Sequence, residues 1–190
     1  MMIAQLRLLK KRLKLSETLI KRRFARSMYD LYVPVYDEAA GGPSRFMQHF
    51  VNYLKNEDIC FTQDKGSRFE KVFFPIEYDI DFLEAWKKCG IKIIQRLDGV
   101  YYSSQYGSQA AELNRNILHI YRSLADAIVF QSEYSKMQCQ EVLGTRNSEN
   151  STIILNGTDQ SVFYPKDLSL NRVDSKRWVF VTTGNFREAH

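Results

Sequence analysis

The run Asp79-Ile80-Asp81-Phe82-Leu83-Glu84-Ala85-Trp86-Lys87-Lys88-Cys89-Gly90-Ile91-Lys92-Ile93-Ile94-Gln95-Arg96-Leu97-Asp98 sets the architecture. Residues 79–89 read as a helix, Gly90 can end it, and 91–97 follow at once as a strand. That strand is nearly continuous in apolar residues, the habit of a strand buried on both faces of a parallel sheet.

The same alternation extends outward in both directions. Upstream, Asp30 to Tyr36 is a strand rich in β-branched and aromatic residues, with Pro34 tolerable near its end. Gly41-Gly42-Pro43-Ser44 follows, then an amphipathic helix through Phe46, Phe50, Val51 and Leu54, and strands at 59–63 and 71–76. Downstream of a Tyr- and Ser-rich loop (101–107) the pattern predicts one long helix over 108–124 and a strand at 127–131. A helix capped by Ser132 and ended by Gly144 comes next, then a strand at 152–155. The expected fold class is α/β, a doubly wound Rossmann-like parallel sheet.

The division expected from composition is a basic amphipathic segment over 1–27, the Rossmann-like domain over 28–165, a charged linker over 166–176, and over 177–190 the first strand of a second domain. The net charge of +5 is unevenly spread. Residues 1–26 hold nine Lys or Arg against the single acid Glu17, so the rest of the chain is mildly acidic, at −3. An acidic body argues against a nucleic-acid-binding domain. In the basic helix, Leu6, Leu9, Leu13, Ile20 and Phe24 recur on one side, a pattern suited to an anionic membrane surface or, more plainly, to a solvated leader. No run of about 18 apolar residues suggests a transmembrane span. The three cysteines, Cys60, Cys89 and Cys139, are odd in number and widely spaced, so each reads as a small buried hydrophobe in a reducing, cytoplasmic setting.

In doubly wound sheets, ligands bind beyond the carboxyl ends of the strands, which selects three loops. Gly41 and Gly42 could let a ligand approach the backbone, with Ser44 at the following helix end; the plain alternative is a tight turn. Arg96 and Asp98 could meet a phosphate and a substrate hydroxyl, or simply pair with each other. Asn156-Gly157 is a turn signal in its own right. The first turn lacks the spaced glycines of a dinucleotide fingerprint, which argues against an oxidoreductase.

Taken together, Gly41-Gly42-Pro43-Ser44-Arg45-Phe46, Ala125 to Ser132 with Tyr134-Ser135-Lys136, Ile153 to Asp159 running to Phe163 and Pro165, and Val179 to Arg187 resemble the GT-B-fold retaining glycosyltransferases. The resemblance covers about 28–190 and is to family four of these enzymes. It implies a hexosyltransferase moving sugar from a nucleotide-sugar donor to a sugar or lipid-linked acceptor. No metal or other cofactor is normally needed in that family. By resemblance, Gly41 and Gly42 would lie near the donor phosphates, Asn156 and Gly157 near the interdomain crossing, and Asn185 and Arg187 in the opening loop of the donor domain. Asn185 stands where the family often has Arg, with Arg187 as the substitute, and the family's His near the end of the strand is not found at 96–98. The usual donor-site Lys and Glu positions lie past His190, so the chain is expected to be the acceptor half and inactive alone. The competing expectation is a non-catalytic sugar- or lipid-binding module.

Overall fold

A computed structural model describes residues 2–26, 28–36, 42–146 and 150–157. Gly41, the linker at 166–176, the segment 177–190 and with it Asn185 and Arg187 lie outside the described residues.

The helix and strand that anchored the sequence reading form nearly where expected. Helix α3 (Ile80–Lys88) starts because the Asp79 carboxylate accepts a hydrogen bond from the Asp81 N–H at 3.1 Å. It ends at Gly90, whose φ of +81° is a conformation that side chains disfavour. Phe82, Leu83 and Trp86, at helical spacing, turn inward. Strand β4 (Lys92–Leu97) follows.

Around this pair the chain runs α1 (Met2–Phe24), β1 (Met28–Tyr32), α2 (Gly42–Asn56), β2 (Phe61–Thr62) and β3 (Arg68–Pro75) before α3. After β4 come α4 (Ser103–Tyr106), α5 (Ala110–Leu113), α6 (Arg115–His119), β5 (Ala127–Phe130), α7 (Glu133–Leu143) and β6 (Ser151–Ile153). All six strands are parallel, in the order β2-β1-β3-β4-β5-β6. The chain steps outward from β1 to β2, returns across β1 to β3, then proceeds outward again. This is a Rossmann-like α/β fold with its reversal of direction between β1 and β3.

Two apolar layers cover the sheet. On one face α2 contributes Met47, Val51 and Leu54, spaced one turn apart, against Val33, Phe73 and Val129. On the other, α3, α6 and α7 bury a core of large rings. Trp86 is its centre, with ring centroids of Tyr32, Phe69, Tyr78 and Phe82 at 5.3, 5.2, 5.7 and 5.4 Å. Such contacts add about 0.5–1.5 kcal/mol each beyond area burial.

The β2-to-β3 return departs from the usual pattern. A parallel crossover ordinarily takes a dozen or more residues with a helix, yet here residues 63–67 make it alone. Asp64 folds this loop by accepting from Gly66 N at 3.0 Å and Ser67 Oγ at 3.1 Å. Helix α1 covers it: Arg22 donates to Ser67 O (2.8 Å) and Phe69 O (2.6 Å) and lies over the Phe69 ring at 4.0 Å. Leu15 and Leu19 pack on the core, and Lys11 pairs with Asp79 and Asp81.

Three local expectations are corrected. Strand β1 ends at Tyr32, before Pro34, because a proline has no N–H to extend the ladder. The helix expected over 108–124 forms in pieces divided at Asn114, whose backbone stays helical, its N–H donating to Ala110 O (2.9 Å) and its O accepting from Leu118 N (2.8 Å). Its side chain binds the backbone of Tyr101, Oδ1 accepting from its N (3.0 Å) and Nδ2 donating to its O (2.7 Å). The segment then closes in a wide π turn over Ile120–Leu124. Of the cysteines only Cys139 is buried, burial pushing its thiol up to about 12, whereas Cys60 and Cys89 sit exposed at element ends.

Candidate functional site

The carboxyl ends of the strands converge on one polar cluster, centred on Arg96. Strand β4 alternates its side chains between the two layers, so Leu97 enters the ring-rich core while Arg96 points to the α2 face. There the Cζ of its guanidinium lies over the Phe46 ring, 3.7 Å from the centroid, and the residue is 1% exposed. Nη1 pairs with Asp98 Oδ1, and Nη2 donates to Asn156 Oδ1 at 2.6 Å. One buried cation thus ties together the end of β4, the loop after β6 and the first turns of α2.

Burial governs the charges. Loss of water pulls the Arg96 guanidinium below its usual range, against the opposing attraction of Asp98. Desolvation likewise raises the Asp98 carboxyl above its ordinary value, outweighing the pull of Arg96 downward. The pair is held by geometry at an electrostatic cost, a pattern that clusters at functional sites.

The other residues expected at the site are less closely joined. Ser44, at the start of α2, is 2% exposed and makes no hydrogen bond to Arg96, Asp98 or Asn156. Gly42 and Gly157 are exposed, and a Cβ on either would meet no atom within 4 Å, so the fold itself does not require glycine there.

Several contributors carry no sequence signal. Phe46 becomes a platform for Arg96 only through folding, fifty positions apart in the chain. Ile76, just past β3, has a φ of +59°, rare for a β-branched residue and costing about 1–3 kcal/mol. It is held there from β4: its N–H donates to Arg96 O at 2.7 Å, and its O accepts from Gln95 Nε2 at 2.6 Å. Gln95 is fully buried for this purpose. A cavity of about 280 Å³ opens beyond β1 and β2, between Pro34, Tyr36, Met47, Gln48, Val51 and Gln63. Tyr36 Oη and Gln48 Nε2 are buried without hydrogen-bond partners among the described residues, and desolvation raises the Tyr36 hydroxyl well above its ordinary value.

On the far side of β5, Ser132 and Ser135 cap α7 reciprocally, with Ser135 N donating to Ser132 Oγ at 3.0 Å and Ser132 N to Ser135 Oγ at 3.1 Å. This fixes the loop beside Asp98 without spending any residue of the cluster. Among the described residues no group of three or more His, Cys, Asp or Glu gathers as a metal site. No protein-family model, curated protein or solved structure matches the chain.

Proposed function

We propose that this chain is the acceptor-side half of a nucleotide-sugar-dependent glycosyltransferase acting in the cytoplasm or at the inner face of a membrane. The observation that carries the reading is the convergence of Asp98 and Asn156 on buried Arg96, beyond the carboxyl ends of β4 and β6. That is where doubly wound sheets bind their ligands.

In the proposed reaction the bond between the sugar's anomeric carbon and the diphosphate oxygen breaks, the acceptor oxygen bonds to that carbon, and the acceptor proton is released. Net retention of configuration follows from the resemblance. Arg96 is too enclosed to touch a substrate, so its role is positioning: it fixes the Asp98 and Asn156 side chains at the rim, where they can take hydrogen bonds from acceptor hydroxyls. Gly42 leaves room for a ligand close to the backbone at the start of α2. Donor recognition falls to residues after the described fold, with Asn185 and Arg187 first among them.

One observation favours the second reading, a non-catalytic sugar- or lipid-binding module. The Asp98 carboxylate is already engaged by Arg96, so one of its oxygens is taken before any acceptor hydroxyl arrives. The test sets this chain beside a version extended along its reading frame, each assayed for hydrolysis and transfer with a panel of UDP- and GDP-hexoses. The transferase reading expects turnover in the extended protein, with a large loss in Asp98→Asn assayed well below that variant's own, lowered melting temperature. Sugar binding without turnover in either protein would select the module instead.

A further inference from the structure

We infer that α1 docks this protein flat onto a bilayer surface bearing anionic lipid. The observation is that the helix uses one side to hold the body and turns its apolar row the other way. At 100° per residue, Lys11, Leu15, Leu19 and Arg22 share one side, and these are the residues that pair with Asp79 and Asp81, pack on the core and bind the 63–67 loop and the start of β3. Leu6, Leu9, Leu13, Ile20 and Phe24 fall roughly opposite and remain 50%, 54%, 61%, 58% and 77% exposed. The apolar row identified in the sequence is therefore not the face that builds the core.

Charge selects what covers it. Arg12 and Arg23 flank the row on one side, Arg7, Lys10, Lys14 and Lys21 on the other. Of these six only Lys21 is in an ion pair among the described residues, with Glu17 on the same helix. A second copy would bring two strips of the same strong positive charge side by side, which opposes self-association. Nucleic acid would satisfy the cations and leave the leucines wet. An anionic bilayer satisfies both, taking the apolar row below the headgroups and the cations at the phosphates. Lys11 and Arg22 clamp the helix at separated points, so its second half lies along the body, and its 23 residues make a rod about 35 Å long. No helix among the described residues is long and apolar enough to cross a membrane, so the contact is interfacial.

The inference rests on α1 and its contacts, not on the transferase reading, and either can fail alone. Its test is flotation of the whole chain with vesicles of phosphatidylcholine, and with vesicles about a third phosphatidylglycerol. The expected result is binding to the second only, weakened by salt. Leu9→Gln, Leu13→Gln and Ile20→Gln combined, which leave the charge unchanged, should reduce it at least tenfold. Arg12→Gln and Arg23→Gln should each weaken it about fivefold, the equivalent of about 1 kcal/mol per charge. A Phe24→Trp chain gives a readout independent of those variants: its added emission should shift to the blue on anionic vesicles and be quenched by brominated lipid. Equal binding to both vesicle types, no flotation with either, or an unshifted emission from the Phe24→Trp chain overturns the proposal. So does a glutamine variant that binds like the parent, or one whose only effect is to abolish a dimer.

Discussion

Arg96 and Asp98 are a buried pair whose value lies in where it holds its neighbours, and its energetics can be separated by substitution. Arg96→Met keeps much of the side-chain volume over Phe46 but leaves Asp98 without its counter-charge, which should cost about 3–5 kcal/mol. Adding Asp98→Leu removes the orphaned carboxylate, and urea denaturation should then show most of that loss recovered. If the double variant is no better than the single, the packing over Phe46 dominates the pair. The pH dependence is a separate check. Burial raises the Asp98 carboxyl above its ordinary value of 3.8 in the folded chain, so the native state holds that proton more tightly than the unfolded state. The associated stability is present below 3.8 and is lost as pH rises through the raised value. Asp98→Asn lacks this dependence. The wild-type chain should therefore lose ground to Asp98→Asn as pH climbs through the acid range, and the difference should level off above it. Urea midpoints at a series of pH values read this directly.

At the scale of elements, local chemistry decided some boundaries and tertiary contacts decided others. Helix α3 and strand β4 were readable because Asp79, Gly90 and an unbroken apolar run lie next to the structure they specify. The role of Asn114 was not readable, because its side chain bonds to the backbone of Tyr101 in another loop. The site followed the same division. Arg96, Asp98 and Asn156 could each be picked out as residues at strand ends, but a bond across sixty positions leaves no mark in one sequence. Nor did Phe46 announce itself as more than an apolar residue of α2. The end of α7 shows the opposite case, where a glycine's meaning was plain. Gly144 has a φ of +83° and ψ of 157°, a region essentially restricted to glycine. A Cβ there would fall 2.3 Å from Arg122 Nη2, on a side chain that also donates to Leu143 O at 2.9 Å. Gly144→Ala should lower stability by about 1–3 kcal/mol, visible as a reduced urea midpoint, with Gly42→Ala as a control of little effect because its Cβ meets nothing.

The whole molecule sorts its thiols by burial, which offers a simple check of the packing. Cys60 and Cys89 are exposed, while Cys139 lies in the ring-rich core with its thiol pushed up to about 12. Iodoacetamide at neutral pH should add two labels to the native chain and a third only after unfolding, as intact mass will count. Rapid labelling of Cys139 in the native chain would mean that α7 opens far more readily than its contacts imply.

The short return from β2 to β3 has a consequence for the order of events during synthesis. The helix that covers it is not the next one made but α1, made earlier, and its docking surface at Ser67, Phe69 and Asp79 appears some 45–70 positions later. At ~5–20 residues per second, α1 leaves the ribosome several seconds before anything exists for Leu15, Leu19 and Arg22 to hold. During that interval both sides of a basic, leucine-rich helix are open. The nascent chain is then at its most adhesive, and a surface or chaperone that engages the outer row early would leave the inner row free to close over the sheet when it arrives.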